Sequence, residues 1–243
     1  MIPQIIHYCW FGIKKPLIVE KCIKSWMRVM PDYEIKCWDE NSFDLESVPF
    51  VKQAFEKKKW AFVADYVRLY ALYTDGGIYL DTDVYVYKRF DDFLHQVVFF
   101  GTETRDATDN PVFAIESGII GAEKGNNFIH QCMEYYQNRN FILPNGELDL
   151  TDMPTVLVCN AEPFGYQRKN SLQKLENNIT IYPTTFFINF NNPFDSQVYA
   201  FHKGMNSWLP PHGRLYEFCK RQDMMHFYRW IEKIMSILRM RNT

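Results

Sequence analysis

The stretch Gly76-Gly77-Ile78-Tyr79-Leu80-Asp81-Thr82-Asp83 constrains the fold more than any other part of the chain. Before it, Ala61 to Thr74 carries Val63, Val67, Leu69 and Leu72 at helical spacing, and the two glycines stop that helix. After the glycines, a short apolar run reads as a central buried strand. Helix followed at once by buried strand is the unit of a layered α/β fold. The strand then meets two carboxylates one residue apart, which repel each other and lose solvation, so a neutralising partner is required. Open α/β sheets bind ligands at this carboxyl edge. Two close acids there suit a hard divalent cation shared with phosphate oxygens.

The rest of the chain agrees with that class. Ile5, Ile6, Tyr8 and Trp10 mark a first strand ending at Gly12. A helix follows over 17–30, closed by Pro31, and residues 33–38 alternate as a second strand. This strand-helix-strand opening begins a doubly wound sheet. Further helices are expected over 51–58, 126–138 and 153–159. Strands are expected over 78–87 with a break at the acids, and over 95–102, 113–122, 179–188 and 197–202. The loop-rich middle, 138–178, is the candidate insertion. Residues 214–243 read as a helical, basic and amphipathic segment, with Arg229, Lys233 and Arg239 against Phe227, Trp230 and Ile234.

Composition narrows the function. Lys and Arg total 27 against 29 acidic residues, a formal net charge of −2, which gives no footprint for a nucleic-acid partner. Aromatics reach 17%, which favours a cleft that faces a sugar or a base. Six cysteines without a C-x-x-C pair read as reduced, mostly buried thiols. No basic-then-apolar leader is visible and no apolar run approaches the ~18 residues of a membrane span, so a cytoplasmic location is expected.

On the helix before the acids, Asp65 and Arg68 stand at i and i+3, on one face. An arginine there can fix a carboxylate or meet phosphate oxygens. The run Ala64-Asp65-x-x-Arg68, Leu72-Tyr73, Gly76-Gly77-Ile78-Tyr79-Leu80-Asp81-x-Asp83 resembles the glycosyltransferases that contain a D-x-D sugar-binding region. That group (family 32) spans initiating α-mannosyltransferases and capsule and lipopolysaccharide transferases, and shares its core with the glucosylating toxins. The opening "IPQIIHYCWFG" and the late "AFHKGMNSW" resemble its other two blocks, so the likeness spans roughly residues 2–208.

The resemblance implies a GT-A fold, an α/β nucleotide-binding sandwich with a mixed, mostly parallel sheet, over residues 1–213. Residues 138–178 would then lie on the acceptor side. It also implies Mn²⁺ or Mg²⁺, a nucleotide-sugar donor with UDP expected, a saccharide or lipid-linked oligosaccharide acceptor, and retention of configuration. By matched position, Trp10 would stack on the base and His7 would line that pocket. Asp65 and Arg68 would contact the donor sugar and order the acids. Tyr79 would lie beside the ribose, Asp81 would touch ribose and metal-bound water, and Asp83 would ligate the metal. His202, or a neighbour such as Asn206, would complete the metal shell, and Ser207 and Trp208 would hold the diphosphate. Glu116 and Ser117 fall near the expected sugar pocket.

The setting so implied is bacterial surface polysaccharide synthesis. The basic amphipathic pattern of residues 214–243 suits either contact with the inner face of the membrane or a helix that caps the domain with a solvated basic face. Retention would follow front-face attack, the leaving phosphate taking the acceptor's proton. A covalent route through Glu116 or Asp152 stays open. Two other classes remain: a metal-dependent hydrolase or nucleotidyltransferase acting on nucleotide sugars, which usually brings a second acidic cluster, and a carbohydrate-binding protein without catalysis.

Overall fold

A computed structural model describes residues 1–12, 14–106, 111–187, 197–204, 218–219 and 224. The chain opens with strand β1 (Ile5–Cys9), helix α1 (Leu17–Val29) and strand β2 (Glu34–Trp38). Helices α2 (Pro49–Glu56) and α3 (Trp60–Asp75) lead into β3 (Gly77–Leu80). Then come β4 (Val84–Val86), β5 (Val98–Asp106), β6 (Val112–Ala122), α4 (Asn127–Gln137) and α5 (Met153–Ala161). Strands β7 (Gln173–Lys174) and β8 (Ile179–Tyr182), helix α6 (Thr184–Phe187) and β9 (Ala200–His202) follow.

Seven strands form one sheet in the order β2-β1-β3-β6-β5-β8-β7. The pairs β1–β2, β1–β3 and β5–β8 are parallel, while β3–β6, β5–β6 and β7–β8 are antiparallel. Five strands, β1, β2, β3, β5 and β8, therefore run the same way, which is the mixed, mostly parallel sheet expected. Strand β1 sends its successor to one side and receives β3 on the other, so the order reverses there. The crevice at the carboxyl ends of β1 and β3 is the ligand position that such a reversal creates.

Apolar residues fill both faces of the sheet. One core gathers Val63, Val67 and Leu72 of α3 with Phe50, Ile129 and Leu157, so residues from the 138–178 stretch join it. The other holds Trp26 of α1 with Val84, Phe93 and Phe187. Trp26 has no exposed surface, and its Nε1 donates to Val84 O at 2.8 Å, tying α1 to β4. None of the six cysteines is in a disulfide; four are buried, Cys37 is half-buried and Cys159 is exposed. No helix among the described residues is long and apolar enough to cross a membrane.

The double glycine is a steric necessity. Gly76 and Gly77 have φ of 68° and 112°, and a Cβ on Gly77 would lie 2.6 Å from Ile5 O of the neighbouring strand. Only glycine takes such a turn at that closeness.

Two expectations need correction. The expected strand over 179–188 stops at Tyr182, because Pro183 lacks an N–H for the ladder and α6 begins after it. The strand after the acids does not continue the main sheet either. Strand β4 leaves it and pairs antiparallel with β9, placing Val84 opposite His202 in a second, two-stranded sheet. The basic segment over 214–243 falls outside the described residues, apart from Phe218, Cys219 and Met224.

Candidate functional site

The acids emerge where the sheet predicts a ligand. Asp81 follows β3 directly, and its N–H donates to Gly118 O on β6 at 2.8 Å. A turn closes with Val84 N–H on Asp81 O at 2.9 Å and brings Asp83 round towards β9. Lys203 N–H then donates to Asp83 O at 3.1 Å, which fixes the end of β9 against the turn. The β4–β9 ladder thus delivers His202 to the acids.

Ligand atoms of Asp81, Asp83 and His202 all lie within 4.8 Å of one another. His202 Nε2 is 3.1 Å from Asp83 Oδ1 and 3.8 Å from Asp81 Oδ2. Its other nitrogen, Nδ1, donates to Glu116 Oε1 at 2.8 Å. Glu116 Oε1 also accepts the Gly118 N–H at 2.7 Å. Burial works against a charge on His202, yet Asp83 and Glu116 outweigh it and hold the imidazole well above its ordinary pKa. Burial alone would raise the Glu116 carboxyl, but His202 and the Gly118 N–H hold it below the usual value.

A second chain of contacts orders Asp81. Its Oδ1 accepts the Tyr79 hydroxyl at 2.9 Å and lies 3.3 Å from Arg68 Nη1. Arg68 is itself buried, paired with Asp65 at 2.9 Å, donating to Ser117 O at 2.6 Å, and stacked over the Tyr79 ring at 4.7 Å. Burial pushes the Asp65 carboxyl up to about 6 even though Arg68 pulls the other way. With Oδ1 occupied, Asp81 turns Oδ2 towards His202.

The donor set suits a divalent cation: two carboxylates and an imidazole whose second nitrogen is fixed by a buried carboxylate. The space fits as well. A Cβ built on Gly118 would come within 2.6 Å of Glu116 Oε1, 2.8 Å of His202 Cε1 and 2.9 Å of Asp81 Oδ2. Only a residue without a side chain leaves this cluster room. Among the described residues, no other group of His, Cys, Asp and Glu converges in this way.

The structure brings together Asp65, Arg68, Tyr79, Asp81, Asp83, Glu116 and His202. Ser117 joins through its carbonyl. Trp10 lies just beyond β1, half-buried, its indole N–H without a partner among the described residues. His7 is placed differently. It has no exposed surface; its Nε2–H donates to Gly76 O at 2.7 Å and its Nδ1 accepts from Trp38 Nε1 at 3.1 Å. Burial lowers its pKa, so the ring is a neutral joint between β1 and β3 and does not line an open pocket. Tyr79 is likewise almost fully buried and meets Asp81 with its hydroxyl, so it orders an acid where a ribose contact was expected. Asp152 caps α5 and pairs with Arg105. Asn206, Ser207 and Trp208 lie outside the described residues.

Sequence reasoning missed Gly118, whose value is a space, and the Glu103–Arg105 pair on β5, which reads there as ordinary strand polarity. The Glu116–His202 bond joins positions 86 apart and leaves no local signal.

Comparison with known proteins points to glycosyltransferases. The family described as "Glycosyltransferase sugar-binding region containing DXD motif" matches residues 16–100. The chain is 25% identical over 224 residues to an uncharacterized glycosyltransferase of Acanthamoeba polyphaga mimivirus, covering 86% of this chain and 85% of that one. It is 31% identical over 139 residues to inositol phosphoceramide mannosyltransferase 3 of Schizosaccharomyces pombe, covering 54% of this chain and 36% of that protein's length. A solved glycosyltransferase involved in glycosylation of the major capsid of PBCV-1 shares the fold, with a TM-score of 0.50 at 13% identity over 92% of this chain and all of that one.

Proposed function

We propose that the chain, whose residues 16–100 match the DXD-containing sugar-binding glycosyltransferase family and whose fold is of the GT-A type, moves a hexose from a nucleoside-diphosphate sugar to a saccharide or glycolipid acceptor with retention of configuration. The single observation that carries this reading is the convergence of Asp81, Asp83 and His202 at the carboxyl end of β3, beside the sheet reversal.

Asp83, His202 and Oδ2 of Asp81 would hold Mn²⁺ or Mg²⁺. Such a cation supplies Lewis-acid neutralisation of charge growing on a leaving diphosphate. The chain's own residues do the rest. Arg68 and Tyr79 keep Asp81 in one rotamer, and Glu116 keeps Nε2 of His202 facing the acids. Trp10, half-buried at the carboxyl end of β1, stands where a base can stack.

The carboxylates around the cluster are engaged. Asp65 is locked to Arg68, Glu116 Oε1 to His202 and Gly118, and Asp152 to Arg105 and the start of α5. Asp65 and Asp152 are held in ion pairs and Glu116 is buried, which supports front-face attack in which the acceptor proton passes to the leaving phosphate. The relatives named above come from a virus and a fungus and give no support to a specifically bacterial surface polysaccharide.

The test is turnover. Purified protein with Mn²⁺, a panel of UDP- and GDP-hexoses and methyl hexoside acceptors is expected to release nucleoside diphosphate. Proton NMR of the glycoside is expected to show the donor's anomeric configuration. An inverted product would overturn the retaining route, and turnover of every donor to free sugar alone would favour a hydrolase.

A further inference from the structure

Strand β5 carries a second polar line beside the cluster. Arg105 Nε lies 3.3 Å from Glu103 Oε1. Arg105 also reaches α5, where it pairs with Asp152 and donates to Thr155 Oγ1 at 3.2 Å. On its other side Glu103 abuts Glu116, whose proximity together with burial pushes the Glu103 carboxyl up to about 8. Glu116 is 1% exposed; its Oε1 is taken by His202 and Gly118, and its Oε2 is buried without a partner. An unbroken line of polar groups thus runs from Asp83 through His202, Glu116, Glu103 and Arg105 to the start of α5.

As pure structure this line is costly. Two carboxylates meet in a largely buried place, and one arginine serves two acids. Nothing in the fold requires it, since α5 packs on β6 and its apolar side chains join the core without this line. Ligand access is retained, because Glu103, Arg105 and Asp152 keep 22%, 32% and 25% of their side-chain surface open.

We propose that Glu103, Arg105 and Asp152 form a saccharide subsite next to the metal cluster, where Glu103 and Arg105 hydrogen-bond neighbouring hydroxyls of a neutral hexose. The chemistry selects that ligand. Hydroxyls both donate and accept, matching a carboxyl beside a guanidinium. The excess of acids disfavours a phosphate- or carboxylate-bearing ring. The subsite rests on the transferase reading of the adjoining cluster, and the hexose belongs either to the donor or to the acceptor.

The experiment compares wild type, Glu103→Ala and Glu103→Gln. Calorimetry with Mn²⁺ measures binding of UDP and GDP and of their hexose conjugates, and kinetics measure transfer to methyl hexosides. Glu103→Ala is expected to leave free nucleotide affinity unchanged and to lose about tenfold on one saccharide, the cost of one hydrogen bond to an ionisable group. A tenfold loss in nucleotide-sugar affinity assigns the subsite to the donor. Unchanged donor affinity with a tenfold rise in acceptor KM at constant kcat assigns it to the acceptor. Glu103→Gln, which can still donate and accept, is expected to recover most of the loss.

If Glu103→Ala binds and transfers as wild type does, the subsite is overturned and the line is an ion-pair brace between β5 and α5. If wild type binds no nucleotide with Mn²⁺, the transferase reading falls and the subsite falls with it. The two failures are therefore distinct.

Discussion

Gly118→Ala is expected to fold and yet to lose about 100-fold or more in transfer activity, with metal-dependent nucleotide binding falling in parallel. The added Cβ would meet Glu116 Oε1, His202 Cε1 and Asp81 Oδ2 at 2.6, 2.8 and 2.9 Å. These are ends of side chains, so the backbone need not move and the stability cost stays near the about 1–3 kcal/mol of an overpacked position. The atoms that must give way belong to Asp81 and His202, which would hold the cation, and to Glu116, which orients His202. A displacement of about 1 Å at reacting groups is enough for a loss of that size. Thermal melting and calorimetry on the same sample separate the two effects. Undiminished metal-dependent binding in the variant would show that the cluster is not where the cation sits.

Arg68→Met is expected to cost about 3–5 kcal/mol of stability in urea denaturation, the range for removing one partner of a buried ion pair. Asp65 would be left buried without its 2.9 Å partner, and Asp81 would lose a neighbour at 3.3 Å. Adding Asp65→Asn to Arg68→Met is expected to recover part of the loss, because the stranded charge is then gone. A cost below about 1 kcal/mol for Arg68→Met would put this pair with ordinary surface ion pairs.

These two predictions also mark what the sequence could reveal. Asp65, Arg68, Asp81 and Asp83 were legible because their signals are local: helical spacing, a double glycine that ends a helix, and acids at a strand end. Six of the seven strands of the main sheet were legible through alternation and apolar runs, and the parallel opening through its strand-helix-strand order, whereas the two-residue β7 fell inside the stretch read as loop-rich. The departure of β4 into a second sheet was not, since its partner β9 lies far along the chain and three-residue strands carry little pattern. Pro183 did announce the end of β8, but the β-rich residues around it outweighed a single breaker.

His7 shows the limit from another side. Its identity suggested a ligand contact, and only its neighbours Gly76 and Trp38 reveal a buried joint. Gly118 carries no chemistry of its own, so its importance appears only once Asp81, Glu116 and His202 are in place around it. Glu116 was placed near the sugar pocket by resemblance, whereas the structure ties it to His202 and, through Glu103, to the polar line on β5.

The measurement that tests the central claim most directly is calorimetric titration of wild type and Asp83→Ala with UDP, GDP and their hexose conjugates, with and without Mn²⁺. Binding by wild type is expected only with the cation, and Asp83→Ala, folded by circular dichroism, is expected to lose it. Nucleotide binding that ignores both the cation and the substitution would contradict a metal site at Asp81, Asp83 and His202.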